Sequence, residues 1–326
     1  VPAPETIGLA LWATNMARPL DGLDAWVARV EARMVEAAAA GARLLVMPEY
    51  AAEQWLAFKP AGLTTDREIP WLAELAPEAL ERLRPLPARH GVGLLAGTMP
   101  WAVDGGQRNR AWLLLPDGRA IHQDKLCLTP DERDPAAWNL TPGDSVQVVE
   151  WDGLTIVVLV CLDVEMPALS SLLAPHRPDL VLVPSMTERR SGHARVFGCA
   201  RARAIELMCA VAVTGLVGSA PGSTWNPTNV SGNAVFVPCE PSLGYTGVLA
   251  ETPAVEGHWG EGPFLVVPDV PVGAIRALRE VGSEVWPGGW NAGHVQVRTG
   301  LSLSRAGPNG RRTDHQRSAG KPVDPV

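Results

Sequence analysis

The stretch VVLVCLDVEMP, residues 157–167, decides how the chain is read. An unbroken run of Val and Leu drives into Cys161, and Asp163 and Glu165 follow at once. Continuous apolar runs of this kind suit a strand buried on both faces. A cysteine buried for packing alone behaves as a small hydrophobe and needs no acidic turn behind it. A nucleophile does need one, because its sulfur must leave the core at a fixed and aimed position.

Outward from that stretch, apolar runs alternate with helical spacing. TIGLALW (6–12), ARLLVMPE (42–49) and GLLAGTMP (93–100) read as strands, the second broken by Pro48 just before Glu49. Helices are expected over Asp24–Ala40 and Pro77–His90, each stopped by a glycine, Gly41 and Gly91. AWLLLPDGRAIHQDKLCL (111–128) reads as a hairpin turning at Pro-Asp-Gly. LTIVVLV (154–160), LVLVPS (180–185), CAVAVTG (209–215), SGNAVFV (231–237) and GPFLVVP (262–268) complete the strands, with helices near Val164–Leu173 and His193–Met208. This order predicts an α/β fold around a largely buried sheet. No composition break splits the chain before about residue 290, so 1–290 is expected to form one domain and 291–326 a C-terminal extension. From about Arg305 the text is polar and rich in Gly and Pro, and reads as flexible or supported by a partner.

The bulk numbers narrow the classes of function. A net charge of -7 over 326 residues argues against a nucleic-acid surface. No apolar run is long enough to span a bilayer, so no membrane role is expected. The 5 cysteines lack CxxC spacing, which favours neither a disulfide framework nor a metal site and fits a reducing cytoplasm. The start, VPAPE, shows no export signal, although the missing initiator Met leaves room for a removed leader.

Three strand ends carry chemistry: Glu49, Lys125 and Cys161. Each has an ordinary reading, as a loop acid, a surface lysine and a packing thiol. Ligands of open α/β sheets bind beyond the carboxyl ends of strands, however, so a carboxylate, an ammonium and a thiol placed there can converge. Asp163 and Glu165 read first as acids that fix the turn by bonding backbone N–H groups. A substrate contact is the second reading of Glu165. Tyr50, Trp138, Ser185, Met186 and His193 are further candidates for contact with substrate, from their places beside those strand ends. Arg201, Arg203 and Glu206 could form an anionic-substrate clamp, but the preferred reading is structural, with Arg and Glu pairing along a helix at i, i+3.

At this point LLVMPEY, HQDKLCLTPDE and VVLVCLDVEMP resemble the three motifs of the nitrilase, or carbon–nitrogen hydrolase, superfamily. The resemblance covers about residues 5–285 and extends to LTPGD (140–144), RARAIELMCAVAVTGLVG and NVSGNAVFVP. It implies an αββα sandwich of two packed sheets with outer helices, and association into a homodimer or larger homo-oligomer. It also implies that Glu49 is the general base, Lys125 the oxyanion-stabilising cation and Cys161 the nucleophile. Glu132 matches a second glutamate of the family, with Asp131 and Asp134 competing for the role. The Leu162 N–H is expected to join Lys125 in the oxyanion hole. The sequence departs from the family pattern at Leu162, Met166 and Ala168, which puts the pocket's shape in question. The expected activity is hydrolysis of a small non-peptide amide through a cysteine thioester, with no cofactor and no metal. Nitrile hydrolysis by the same residues, acyl transfer, and a non-catalytic binding role on the same fold are the alternatives.

Overall fold

The structure, a computed structural model, describes residues 3–257, 260–284 and 294–298. Strands β1 (Ile7–Trp12), β2 (Leu44–Val46), β3 (Gly93–Val103), β4 (Gly106–Leu114) and β5 (Ala120–Asp124) belong to one six-stranded sheet. β6 (Val148–Trp151), β7 (Leu154–Val158), β8 (Leu180–Ser185) and β9 (Ala210–Gly215) belong to a second. The short β10 (Val230–Ser231) is followed by β11 (Asn233–Phe236), β12 (Val248–Glu251), β13 (Val255–Glu256) and β14 (Phe264–Val270). The sheet orders are β14-β1-β2-β3-β4-β5 and β12-β11-β9-β8-β7-β6. Each has a parallel centre, β1-β2-β3 and β7-β8-β9, with antiparallel strands outside it.

Alternation along β1 shows how the layers arise. Leu9 and Leu11 enter the core that contains Val157, Leu182 and Val213 of the other sheet. Ala10 and Trp12 enter a second core with Trp26, Val30 and Met34 of α1 (Leu23–Ala39) and Leu72 and Leu80 of α2 (Thr65–Leu83). A strand sends successive side chains to opposite faces, so a run buried throughout needs cover on both. The expected αββα sandwich is the result.

Some boundaries differ from those the sequence predicts. The helix expected over Pro77–His90 begins at Thr65, carries Pro70 and Pro77 inside it, and ends at Leu83 before a short α3 (Leu86–His90). The buried stripe Ile69, Leu72, Ala76, Ala79, Leu80, Leu83 runs past both prolines, and tertiary burial outweighs the hydrogen bonds they remove. A four-residue α4 (Pro130–Arg133) follows β5. The helix expected from Val164 divides into a 3-10 turn, Cys161–Glu165, and α5 (Pro167–Leu173). Pro167 holds Met166 in an extended conformation, which separates the two. α6 (Arg190–Glu206) and α7 (Val272–Glu280) complete the α-helices of the described residues. Arg203 and Glu206 pair at i, i+3 as expected, and Cys199 lies within α6.

The chain divides into two units, Val1–Trp290 and Asn291–Val326. Residues 294–298 of the second contain no helix or strand, and the tail expected from about Arg305 lies outside the described residues. Among the described residues, no helix is long and apolar enough to cross a membrane.

Candidate active site

Three loops bring the ionisable groups together. Beyond β2, Pro48 and Glu49 lead to Tyr50, whose φ of 50° lies in the left-handed region. The Tyr50 N–H donates to Thr98 Oγ1 at 2.7 Å, fixing that turn. Gly97 is required beside it, since a Cβ there would stand 2.1 Å from the Pro48 carbonyl oxygen. Beyond β5, the Lys125 N–H donates to the Asn109 carbonyl at 2.9 Å, and the Lys125 carbonyl accepts from the Gly143 N–H at 2.7 Å. α4 then presents Glu132 through a capping box. Glu132 Oε2 accepts from the Thr129 N–H at 2.8 Å, and Thr129 Oγ1 accepts from the Glu132 N–H at 3.4 Å.

The third loop carries the thiol. Cys161 has a φ of 48°, a conformation that a non-glycine residue adopts only when its surroundings impose it. Asp163 imposes it. Its buried carboxylate accepts N–H bonds from Val160 at 3.1 Å, Leu126 at 3.1 Å and Cys127 at 2.7 Å. One side chain therefore ties the cysteine turn to the lysine segment. Arg203 Nε adds a bond to the Val164 carbonyl at 2.9 Å.

Lys125 Nζ donates to Glu49 Oε1 at 2.9 Å and to Glu132 Oε2 at 2.7 Å. Asn109 Nδ2 reaches the same two acids, Glu49 Oε1 at 2.9 Å and Glu132 Oε1 at 3.2 Å. The Tyr50 hydroxyl donates to Glu132 Oε1 at 2.7 Å. Cys161 Sγ lies 3.6 Å from the Met186 carbonyl oxygen, to which it donates. Glu49, Lys125, Glu132 and Cys161 are all buried.

Burial and mutual charge set the protonation states. Burial raises the Glu49 carboxyl to about 7, with Lys125 pulling it down and Glu132 pushing it up. Burial also works against the charge on Lys125, but Glu49 and Glu132 outweigh it and hold the ammonium above its ordinary range. Glu132 is desolvated too, yet Lys125 and the donors around it keep its carboxyl below the usual value. Burial, reinforced by Glu49, pushes the Cys161 thiol well above its ordinary range. The arrangement near neutrality is a neutral thiol beside a carboxyl poised to take a proton, with a fixed ammonium–carboxylate pair behind them.

These groups line a cavity of about 520 Å³. Tyr50, Trp138, Leu162, Glu165 and Met186 line it as well. Ser185 and His193 do not. The Ser185 hydroxyl turns into the sheet and donates to the Thr214 carbonyl at 2.9 Å, because β8 runs through that residue and its period sends the side chain inward. His193 stacks on Phe197 at 3.9 Å and places Nδ1 3.4 Å from Ser231 Oγ. Glu165 lines the cavity and accepts from Arg195 Nε of α6 at 3.2 Å, a side-chain tie in place of the backbone N–H bonds expected of it.

Sequence reasoning missed Asn109, Trp225, which packs on Tyr50 and Trp138, and Arg195. Asn109 did leave a trace, since it shares a strand face with Ala111 and Leu113, both buried. An amide on an apolar face needs a partner. Among the described residues, no group of three or more His, Cys, Asp or Glu side chains is placed to hold a metal ion.

The family model for carbon-nitrogen hydrolases matches residues 15–235. The chain belongs to the carbon–nitrogen hydrolase family. Similar proteins include a probable hydrolase of Bacillus subtilis, 27% identical over 73% of this chain and 45% of that protein. An omega-amidase of Xenopus tropicalis is 28% identical over 52% of this chain and 61% of its own length. This carbon–nitrogen hydrolase thus spans under half of the Bacillus protein's length. Among solved structures, it is similar to a mutant amidase from Nesterenkonia sp. AN1 in complex with butyramide. That match has a TM-score of 0.63 and 26% identity over 84% of this chain and 95% of that one. Another mutant of the same amidase carries the acetamide moiety of fluoroacetamide added covalently at its active-site cysteine. That match has a TM-score of 0.63 and 25% identity over 85% and 95% of the two chains.

Proposed function

We propose that this chain hydrolyses the C–N bond of a small, non-peptide amide through a thioester on Cys161, releasing ammonia or an amine and a carboxylic acid. The observation that carries the reading is the Lys125 ammonium clamped between two buried carboxylates at the floor of a cavity that Cys161 shares. The amidase from Nesterenkonia sp. AN1, with butyramide bound in one mutant and a covalent cysteine adduct in another, supports the choice of an amide.

Sulfur attacks the carbonyl carbon as its proton passes to Glu49, and the C=O electron pair moves onto oxygen. Since the thiol is held far more strongly protonated than Glu49, transfer accompanies attack and little free thiolate precedes it. Lys125 has three N–H donors and directs two at carboxylates, which leaves one for the oxyanion. The Leu162 N–H is the second donor of that hole. Glu49 then gives its proton to the departing nitrogen as the oxyanion re-forms C=O and the C–N bond breaks. It later takes a proton from the water that adds to the thioester carbonyl, and returns it to the Cys161 sulfur as the C–S bond breaks and the acid leaves. Glu132 stays ionised throughout and holds Lys125 in place.

Residues 1–290 are the catalytic unit of this proposal, and 291–326 an extension to it. Exposed Leu172 on α5 and Ile205 on α6 support assembly into a homodimer or larger homo-oligomer. The free cysteines Cys127, Cys161, Cys199, Cys209 and Cys239 suit a reducing cytoplasm.

Ammonia release from a panel of small amides, N-carbamoyl compounds and nitriles, run with Cys161→Ala beside the wild type, tests the activity. Release from amides by the wild type alone is expected. Release from nitriles only moves the chain to nitrile hydrolysis, and equal rates from both proteins remove Cys161 as the nucleophile.

A further inference from the structure

We infer that Asn109 is a positioning residue that selects which oxygen of Glu49 receives the thiol proton, while holding Lys125 and Glu132 in register with that acid. The inference rests on Glu49 acting as the base. Asn109 Nδ2 and Lys125 Nζ both meet Glu49 at Oε1, each at 2.9 Å. A carboxylate oxygen offers two in-plane lone pairs, so two donors fill it. The proton from Cys161 therefore goes to Oε2, and Glu49 is held in one orientation when it arrives.

The rest of Asn109 acts on the other two groups. Nδ2 also reaches Glu132 Oε1 at 3.2 Å, and the backbone carbonyl accepts the Lys125 N–H at 2.9 Å. One β4 residue thus contacts Glu49, Glu132 and the lysine segment. The amide's orientation follows from its partners. Turned over, it would set Oδ1 against two carboxylates. As placed, Oδ1 is buried with no hydrogen-bond partner among the described residues, so the amide is anchored through its donor end.

The titratable groups facing Glu49 are Lys125, Glu132, Cys161 and Tyr50. None lies on β4, whose charged residues on either side of Asn109, Arg108 and Arg110, are bonded to Asp124 instead. Loss of the Asn109 donor disfavours the charged carboxylate and raises the pH at which Glu49 ionises.

The experiment follows alkylation of Cys161 by iodoacetamide, together with kcat and KM, as a function of pH. Wild type, Glu49→Gln, Asn109→Leu and Asn109→Asp are compared. The wild type should show an acid limb near pH 7, the value to which Glu49 is raised, and Glu49→Gln should lack it. Asn109→Leu should move that limb to alkaline pH by about half to one unit, and lower kcat about 10–100-fold with KM nearly unchanged. Asn109→Asp keeps the shape, sets an acceptor where the donor stood, and should move the limb further. It also serves if the leucine variant does not fold. A limb removed by Glu49→Gln but unmoved in a folded Asn109 variant overturns this inference and leaves the base intact. A limb that survives in Glu49→Gln overturns both.

Discussion

At the scale of single residues, Cys161 combines two demands that normally conflict. Its backbone sits at a φ of 48°, where a side chain is strained, yet its side chain is the reason for the position. A left-handed conformation costs a non-glycine residue roughly 1–2 kcal/mol. Cys161→Gly should therefore unfold at a temperature equal to or above that of Cys161→Ala, opposite to the order usual for Gly and Ala. Thermal denaturation of the two variants checks this, and a clearly lower melting point for the glycine variant would show that the turn carries no strain. Glu49 and Cys161 were legible in the sequence because each ends an apolar run, and Lys125 because it closes a hairpin strand; strand ends are where such folds place ligands. Ser185 was misread because it also ends such a run. Its strand extends through the serine itself, so the hydroxyl faces the sheet and bonds Thr214.

Elements matter here through their ends. α4 is only four residues long, too short to be stable by itself, and its capping box fixes it. The same Thr129–Glu132 pairing that caps the helix orients the carboxylate holding Lys125. Thr129→Ala removes the acceptor for the Glu132 N–H, which costs about 1 kcal/mol of stability. A fall in kcat of about 3–30-fold is expected besides, because Glu132 loses its fixed entry angle. Steady-state kinetics beside a melting curve separates the two effects, and a stability loss with unchanged kcat would confine Thr129 to capping. Asp163 joins two elements in the same way. Asp163→Asn replaces an acceptor oxygen with an N–H facing the three amide donors, and kcat should fall at least 10-fold with the protein still folded. The sequence suggested that Asp163 fixed its own turn. Its reach to Leu126 and Cys127 was not legible, since nothing in the local text says which loop lies across the sheet ends. The prolines of α2 obscured that helix for a related reason: burial of its apolar stripe is a tertiary effect.

For the whole molecule, the hydrophobic pattern led to an α/β fold around a buried sheet, because strands buried on both faces admit few arrangements. The two-sheet layering came from the family resemblance. What the pattern hid is the polar interior. Glu53 is fully buried on the 3-10 segment Ala51–Phe58, directly behind Tyr50. It accepts from the Ala220 N–H and from Asn229 Nδ2, each at 3.4 Å, with the Ser219 and Ser223 hydroxyls also bonding it. These residues bracket Trp225 and Asn226, of which the first packs on Tyr50 and the second lines the cavity. Burial raises the Glu53 carboxyl from 4.5 to about 7. A carboxyl raised on folding favours the folded state most below its unfolded value, and this contribution is lost as pH climbs from about 4.5 through 7. Above that range the protein bears the cost of a desolvated charge. Glu53→Gln cannot ionise, so its stability relative to wild type should improve between pH 5 and pH 8, by up to the order of 3 kcal/mol. Glu132 and Asp124, both held below their ordinary range, act in the opposite sense as pH falls, and they are common to both proteins. Urea unfolding of the pair at the two pH values isolates Glu53. An equal difference at both would mean that Glu53 is ionised and fully compensated within the fold. A growing difference would show that the wall of the cavity is anchored by an acid most stable when neutral.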